Sequence, residues 1–235
     1  MIDTFIFDFD GTLAELTINF AVLKARIEAL AERYAGPLES SQLPLLERIE
    51  ELARAIHIRS PHHSRDFRNR ALDLVRATEI RHASEGKLFA FTRPLLASLI
   101  NSGHRIAVVT RNCEAAVRIV FPDIEKFCHA FLAREHVKYV KPDPHHIERA
   151  LEILGKADKT RVMIIGDHPL DIKAGIAVGV WTAGVASGRI SITRLIEAGA
   201  HYVAENCLAL FRQLSEKDLV RGLNLCMAAN TIRAS

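Results

Sequence analysis

Apolar residues along this chain follow two kinds of pattern, and the kind changes at defined points. Short unbroken runs recur at Phe5-Ile6-Phe7, Arg105-Ile106-Ala107-Val108-Val109 and Arg161-Val162-Met163-Ile164-Ile165, each giving way to polar or acidic residues. Runs that do not alternate suit strands buried on both faces. With helical segments between them, they predict an α/β class built on a doubly wound parallel sheet. Weaker strands are expected at His129-Ala130-Phe131-Leu132, Val180-Trp181-Thr182-Ala183 and His201-Tyr202-Val203.

From about residue 15 to residue 88 the spacing turns helical and contains no strand. Apolar residues recur at helical intervals from Phe20 to Tyr34, from Leu43 to Ile56 and from Phe67 to Ile80. Gly36-Pro37 and Ser60-Pro61 break the block into about three or four helices. The expected organisation is a core from residues 1–14 and 89–235, with an all-helical unit over 15–88 inserted after the first strand. Ligands of open α/β sheets sit at the carboxyl ends of strands, so an insertion there can cover a site.

Candidate chemistry gathers at those strand ends. Asp8-Phe9-Asp10-Gly11-Thr12-Leu13 follows the first run. Residues two apart on an extended chain point the same way, so Asp8 and Asp10 can face one site. Two such carboxylates call for a positive charge, and magnesium, a hard cation that takes oxygen ligands, is the commonest answer. Thr110-Arg111-Asn112 ends the second run and opens a helix, offering a hydroxyl and backbone N–H groups to an anion, although a simple helix cap would look the same. In Lys141-Pro142-Asp143-Pro144, helix initiation accounts for every residue but the lysine, which is electrostatically misplaced at a helix start unless an anion balances it. Gly166-Asp167-His168-Pro169-Leu170-Asp171 follows the third run. Asp167 can join Asp8 around a cation, and Asp171 can orient Lys141 or the metal's waters.

Composition narrows the partners. The 235 residues are 49% apolar and carry 31 basic against 28 acidic side chains, a net charge of +3 that argues against a nucleic-acid binder. Arginines concentrate within residues 54–81, where Arg59, Arg65, Arg68 and Arg70 can meet a carboxylate or phosphate on a substrate. Cys113, Cys128, Cys207 and Cys226 form no paired motif and read as free thiols. The neighbouring histidines His62-His63 and His145-His146 read as surface or helix-start residues, not metal ligands. His168 is a candidate only for the site entrance, and Trp181 reads as core or strand-end packing. No apolar run approaches the roughly 20 residues that span a bilayer, and a strand begins too early for a secretory signal. A cytoplasmic protein without a membrane partner is expected, monomeric or homodimeric. Leu223, Leu225, Cys226 and Met227 suggest a terminal helix docked on the domain or a dimer contact.

The four clusters, in this order, resemble those of the haloacid dehalogenase superfamily. Its first motif DxDGT corresponds to Asp8 and Asp10, its second to Thr110, its third to Lys141, and its fourth, GDxxxD, to Asp167 and Asp171. Lys141-Pro142-Asp143-Pro144 and the run from Ile165 to Ile172 look like the phosphoglycolate-phosphatase-like branch, and the insertion looks like that branch's helical cap. The resemblance implies a Rossmann-like core and a Mg²⁺-dependent phosphatase acting on a small phosphomonoester through an aspartyl phosphate. Asp8 would be the nucleophile and Asp10 the general acid and base. Metal would be held by Asp8, the Asp10 carbonyl and Asp167, with Asp171 in support. Thr110, Arg111, Asn112 and Lys141 would bind the phosphoryl group. A second acid two residues after the nucleophile favours phosphate esters over the family's carbon- and phosphonate-cleaving members. A sugar-phosphate mutase and a non-catalytic binding protein remain as alternatives.

Overall fold

The computed structural model describes residues 1–155 and 158–223. In chain order its elements are β1 (Thr4–Phe7), β2 (Ala14–Glu15), α1 (Phe20–Ala35), α2 (Leu45–Arg59), α3 (Pro61–Ala83), β3 (Lys87–Leu88), α4 (Thr92–Asn101), β4 (Arg105–Val109), α5 (Glu114–Val120), β5 (Ala130–Leu132), α6 (His145–Ile153), β6 (Val162–Gly166), α7 (Pro169–Val178), β7 (Trp181–Val185), α8 (Ile192–Glu197), β8 (Tyr202–Ala204) and α9 (Cys207–Glu216). Two compact units result: Met1–Leu16 with Ala83–Ser235, and Thr17–His82.

The first unit is a six-stranded parallel sheet in the order β5-β4-β1-β6-β7-β8, with helices on both faces: a Rossmann-like α/β fold. The unbroken apolar runs explain the layering. Phe5 and Phe7 of β1 point to one face beside Ile106, Val108, Met163 and Ile165, under Leu95 and Leu99 of α4 and Phe211 and Leu214 of α9. Ile6, Ala107, Val109, Val162 and Ile164 point to the other face, under Ile147 and Leu151 of α6 and Ala174 and Val178 of α7. Phe5 and Phe7 are wholly buried, and each contributes roughly 1.5–3 kcal/mol by leaving water.

Pairing sets the heights of the strand ends. Phe7 stands opposite Val108 on one side and Ile165 on the other. The residues that follow therefore emerge together at one edge of the sheet. The weaker strands begin one residue later than the sequence predicts. His129 and His201, expected as their first residues, instead use Nδ1 to accept the N–H groups of Ile106 and Thr182, at 3.0 and 3.1 Å.

The helical unit has three helices. Leu23, Ile27 and Ala31 of α1, Ile49, Leu52 and Ile56 of α2, and Phe67, Ala71 and Val75 of α3 form its core, recurring at helical intervals. Asn19 caps α1 by accepting the Val22 N–H at 3.1 Å, and Pro61 opens α3, where a proline's missing donor does no harm. α3 thus starts well before the first apolar residue of its stripe, Phe67, because Pro61 and not hydrophobic periodicity marks its beginning. Buried Arg48 is held by Glu28 at 3.0 Å and Glu51 at 2.6 Å. Of the terminal residues expected to form a helix, Leu223 packs partly buried against the core, while Leu225, Cys226 and Met227 lie outside the described residues.

Gly175 sets how closely α7 approaches the sheet. A Cβ there would stand 2.4 Å from Ile164 Cγ2 and 2.5 Å from Thr182 Cγ2, on stiff β-branched side chains. Helix propensity alone favours Gly175→Ala by about 1 kcal/mol. The clash reverses that sign, so the variant is expected to lose about 1–3 kcal/mol, read as a lower urea midpoint with unchanged slope.

Candidate active site

The sheet edge at the ends of β1, β4 and β6 brings the four sequence clusters together. Asp8 follows β1 directly, its N–H donated to Ile165 O at 2.8 Å. Thr110 follows β4, Asp167 follows β6, and Lys141 enters from the loop before α6. Lys141 is buried to 1% exposure. Its Nζ lies 2.6 Å from Asp8 Oδ1 and 2.6 Å from Asp171 Oδ1, and donates to Val109 O at 3.0 Å. The other oxygen of Asp171 accepts the His168 N–H at 3.1 Å. Both oxygens of Asp171 are thus engaged.

Electrostatics in this cluster are unbalanced. Burial pushes the Asp8 carboxyl up to about 6, with Lys141 opposing the rise and Asp171 adding to it. Burial also drives Asp167 well above the usual carboxylate range, reinforced by Asp8, Asp171 and Asp10 and opposed by Lys141. For Lys141 burial acts downward, but Asp171 and Asp8 outweigh it and hold the amine charged. Asp8, Asp167 and Asp171 each bring a carboxylate oxygen within 4.8 Å of the others. Three carboxylates gather and two of them pair with a single ammonium, so the donor set is all hard oxygen and carries surplus negative charge. That is the chemistry a divalent cation such as magnesium fits.

Asp10 stands somewhat apart. Its carboxylate takes bonds from Thr110 Oγ1 at 3.3 Å and from Asn112 Nδ2 at 3.2 Å to each oxygen. The i, i+2 argument places Asp8 and Asp10 at the same edge, but β1 ends at Phe7 and the chain turns at Gly11, φ +77°, so the two carboxylates meet different partners.

The turn after β4 differs from expectation. Its backbone was expected to offer free donors, yet Thr110 N–H is bonded to Leu132 O at 3.0 Å, Asn112 N–H to Thr110 Oγ1 at 3.0 Å and Cys113 N–H to Asn112 Oδ1 at 2.8 Å. Arg111 turns its guanidinium to the Lys141 carbonyl, bracing the lysine loop. Asn112 orients Asp10. The hydroxyl of Thr110 and the amide of Asn112 thus face Asp10, and the ammonium of Lys141 faces Asp8 and Asp171.

Other sequence candidates sort plainly. Arg68 pairs with Glu50 at 2.7 Å, Arg70 with Asp66 at 3.1 Å, and Arg59 donates to Ala35 O, all within the helical unit. Arg65 is exposed. An open groove of about 410 Å³ lies elsewhere on that unit, lined among others by Asn19, Val22, Arg26, Thr78 and Arg81. His168 caps α7 through Nδ1, 3.2 Å from Leu170 N. His146 lies at a helix start, one of the two places expected for it, and is wholly buried because it stands in the first turn of α6 on the side that faces the sheet. Trp181 is partly exposed at the start of β7, its indole N–H donated to Thr160 O at 3.0 Å. Cys113 and Cys207 are buried and Cys128 half-buried, all free, while Cys226 lies outside the described residues. Among the described residues no helix is long and apolar enough to cross a membrane.

Sequence reasoning missed the loop after β7. Ser187 Oγ donates to Gly11 O at 2.7 Å, which brings Gly188 against Asp167. A Cβ on Gly188 would lie 1.8 Å from Asp167 Oδ2, and one on Gly11 2.2 Å. Asp167 is therefore held between two bare backbone faces. The signal was available: Ser187-Gly188 also follows a strand, and parallel strands share one carboxyl edge.

A sequence model described as "Haloacid dehalogenase-like hydrolase" matches residues 5–185. The chain belongs to the haloacid dehalogenase-like hydrolase family. It is 27% identical to "Pyrophosphatase PpaX" of Halalkalibacterium halodurans over 78% of this chain and 83% of that protein. In fold it resembles a structure described as a "predicted phosphoglycolate phosphatase" from Haemophilus somnus, with TM-score 0.59, 16% identity, and coverage of 91% of this chain and 98% of that one. A "putative beta-phosphoglucomutase" from Thermotoga maritima superposes with TM-score 0.58 at 22% identity, over 92% and 99% of the two chains.

The packing of Asp167 makes a direct prediction. Gly188→Ala should displace its carboxylate, raising the divalent-cation concentration for half-maximal hydrolysis by about 10–100-fold, the range typical when a metal ligand loses its support. The thermal midpoint should move little, since the substitution lies in a surface loop.

Proposed function

We propose that this chain is a Mg²⁺-dependent phosphatase of small phosphomonoesters that works through an aspartyl phosphate. The observation that carries this reading is the clustering of the Asp8, Asp167 and Asp171 carboxylates, two of them paired with Lys141, with Asp10 held separately by Asn112 and Thr110. Asp8, Asp167 and the Asp10 carbonyl are the assigned metal ligands, with Asp171 in support. When bound, the cation neutralises charge on the phosphoryl oxygens and the carboxylates.

The residues divide the work as follows. Lys141 fixes one oxygen of Asp8 and presents its charge to a phosphoryl oxygen; Thr110 offers its hydroxyl to another. Asp8 attacks phosphorus, forming its own O–P bond as the bond from phosphorus to the leaving oxygen breaks. Asp10 gives its proton to that oxygen. Water then attacks the aspartyl phosphate while Asp10 takes the proton back, the Asp8–phosphorus bond breaks, and inorganic phosphate leaves. Positioning and charge neutralisation carry most of such a reaction, which is why a rigid sheet edge suits it. Asn112 matters here because it keeps the Asp10 carboxylate aimed while the proton goes out and returns.

A second reading of the leaving group rests on the pyrophosphatase relative, since diphosphate would lose phosphate itself from the same attack. On the helical unit, Arg68 and Arg70 are paired with Glu50 and Asp66 and Arg59 donates to Ala35 O, while Arg65 is exposed.

Hydrolysis of p-nitrophenyl phosphate should require Mg²⁺ and stop with EDTA. Asp8→Asn should abolish it, and full activity in that variant would refute the nucleophile. Asp10→Asn should slow turnover by about 10²–10⁴-fold, the usual size of a lost proton-transfer group, while Mg²⁺ half-saturation stays put. A panel of phosphoglycolate, sugar phosphates and diphosphate then names the leaving group. Phosphate shifted between positions of a sugar without release would indicate a mutase, and no turnover of any member a binding protein.

A further inference from the structure

His146 is a buried titratable group for which the reaction above has no use. It is the second residue of α6 and has no exposure to solvent, although a polar residue in a first helical turn ordinarily faces water. Both ring nitrogens have partners. Nδ1 accepts the backbone N–H of Lys141 over a long 3.4 Å, and Nε2 lies 3.1 Å from Leu132 O. A backbone N–H only donates and a carbonyl only accepts, so the ring is the neutral tautomer protonated at Nε2. Burial, aided by the charge of Lys141, depresses its basicity to about 3, which keeps that tautomer in neutral solution.

Leu132 O also accepts the Thr110 N–H at 3.0 Å. A single imidazole thus joins the backbone of Lys141 to the carbonyl that holds the backbone of Thr110. These two residues come from separate elements, one from the loop before α6 and one from the end of β4. Arg111 holds the carbonyl of Lys141, and Asp8, Asp171 and Val109 O hold its amine. His146 supplies the remaining constraint, on its N–H.

We propose that His146 is a positioning residue that keeps Lys141 in register with Thr110, so that ammonium and hydroxyl address the same phosphoryl group. The inference rests on the phosphoryl-binding parts proposed for those two residues. His146 itself touches no reacting atom, and the phosphoryl group is the chemistry it serves. Its effect should therefore appear more in anion affinity than in cation affinity, because the link ends on the backbone N–H of Lys141, whereas Asp8 and Asp167 are placed by β1 and β6, which they follow.

The test uses the full chain with p-nitrophenyl phosphate and Mg²⁺, and inorganic phosphate as competing anion. His146→Leu nearly keeps the volume and removes both bonds. His146→Gln keeps a donor for Leu132 O but loses the fixed acceptor for Lys141. In His146→Leu the inhibition constant for phosphate should rise about tenfold and kcat/KM should fall about 10–100-fold, the scale of a misplacement near 1 Å, with Mg²⁺ half-saturation within about twofold. His146→Gln should fall between this and the wild type. A lowered thermal midpoint with unchanged phosphate affinity would reduce His146 to core filling and overturn the proposal, as would equal losses of phosphate and Mg²⁺ affinity. Should His146→Leu fail to fold, unchanged phosphate affinity in His146→Gln overturns it alone. Lys141→Ala separates the two levels. If it is inactive while the His146 variants behave as wild type, only the link fails; if it keeps wild-type kcat/KM, the phosphoryl role of Lys141 fails and the link with it.

Discussion

The ammonium of Lys141 lies out of water between the carboxylates of Asp8 and Asp171. Removing an ion from water costs several kcal/mol even after relaxation, and only well-placed partners offset it. This one constraint fixes much of the architecture around it. Asp8 must stand at the end of β1, Asp171 in the first turn of α7, and the lysine loop must arrive between β4 and β6. The apolar layers that bury Phe5, Phe7 and Ile164 hold those positions, since packing specifies where each strand ends. Arg111 and His146 then brace the loop that delivers the amine.

The pair does not neutralise the site. Asp167 adds a third carboxylate, which burial and the neighbouring acids push well above the usual range against the opposing charge of Lys141. A structure with such a cluster is more stable with a divalent cation than without one, because any ligand of the folded state alone adds to stability. The two bare backbone faces at Gly11 and Gly188 have the same logic. They let the Asp167 carboxylate sit deep at the edge, where a side chain at either position would collide with it.

Much of this was legible in the sequence, and what was legible follows from physics that is local. Double-sided burial left its mark as unbroken apolar runs, so β1, β4 and β6 stand where expected, and with them Asp8, Thr110 and Asp167. The helices of the inserted unit show in the spacing of Leu23, Ile27 and Ala31 or of Phe67, Ala71 and Val75. Less legible was anything decided by long-range pairing. His146 reads as a surface or helix-start residue because its neighbours are polar, and the approach of β5 is what gives its Nε2 a buried partner in Leu132 O. Arg68 looks available for a ligand until α2 places Glu50 beside it, whereas the pair of Arg70 with Asp66 lies one turn apart on a single helix. Of the backbone donors after β4, only the Thr110 N–H is met at long range, by Leu132 O; those of Asn112 and Cys113 are met by Thr110 Oγ1 and Asn112 Oδ1, the local capping the sequence also allowed.

The level strand ends have a further consequence. Asp8, Thr110 and Asp167 each follow immediately on a strand whose partners are fixed residue by residue, Phe7 opposite both Val108 and Ile165. A slip of β6 by one residue would turn every one of its side chains to the opposite face. Asp167 would then leave the carboxylate cluster and a polar group would enter the core. A chain that mispaired would be silent, not differently active: the chemistry at the edge doubles as a proofreader of assembly.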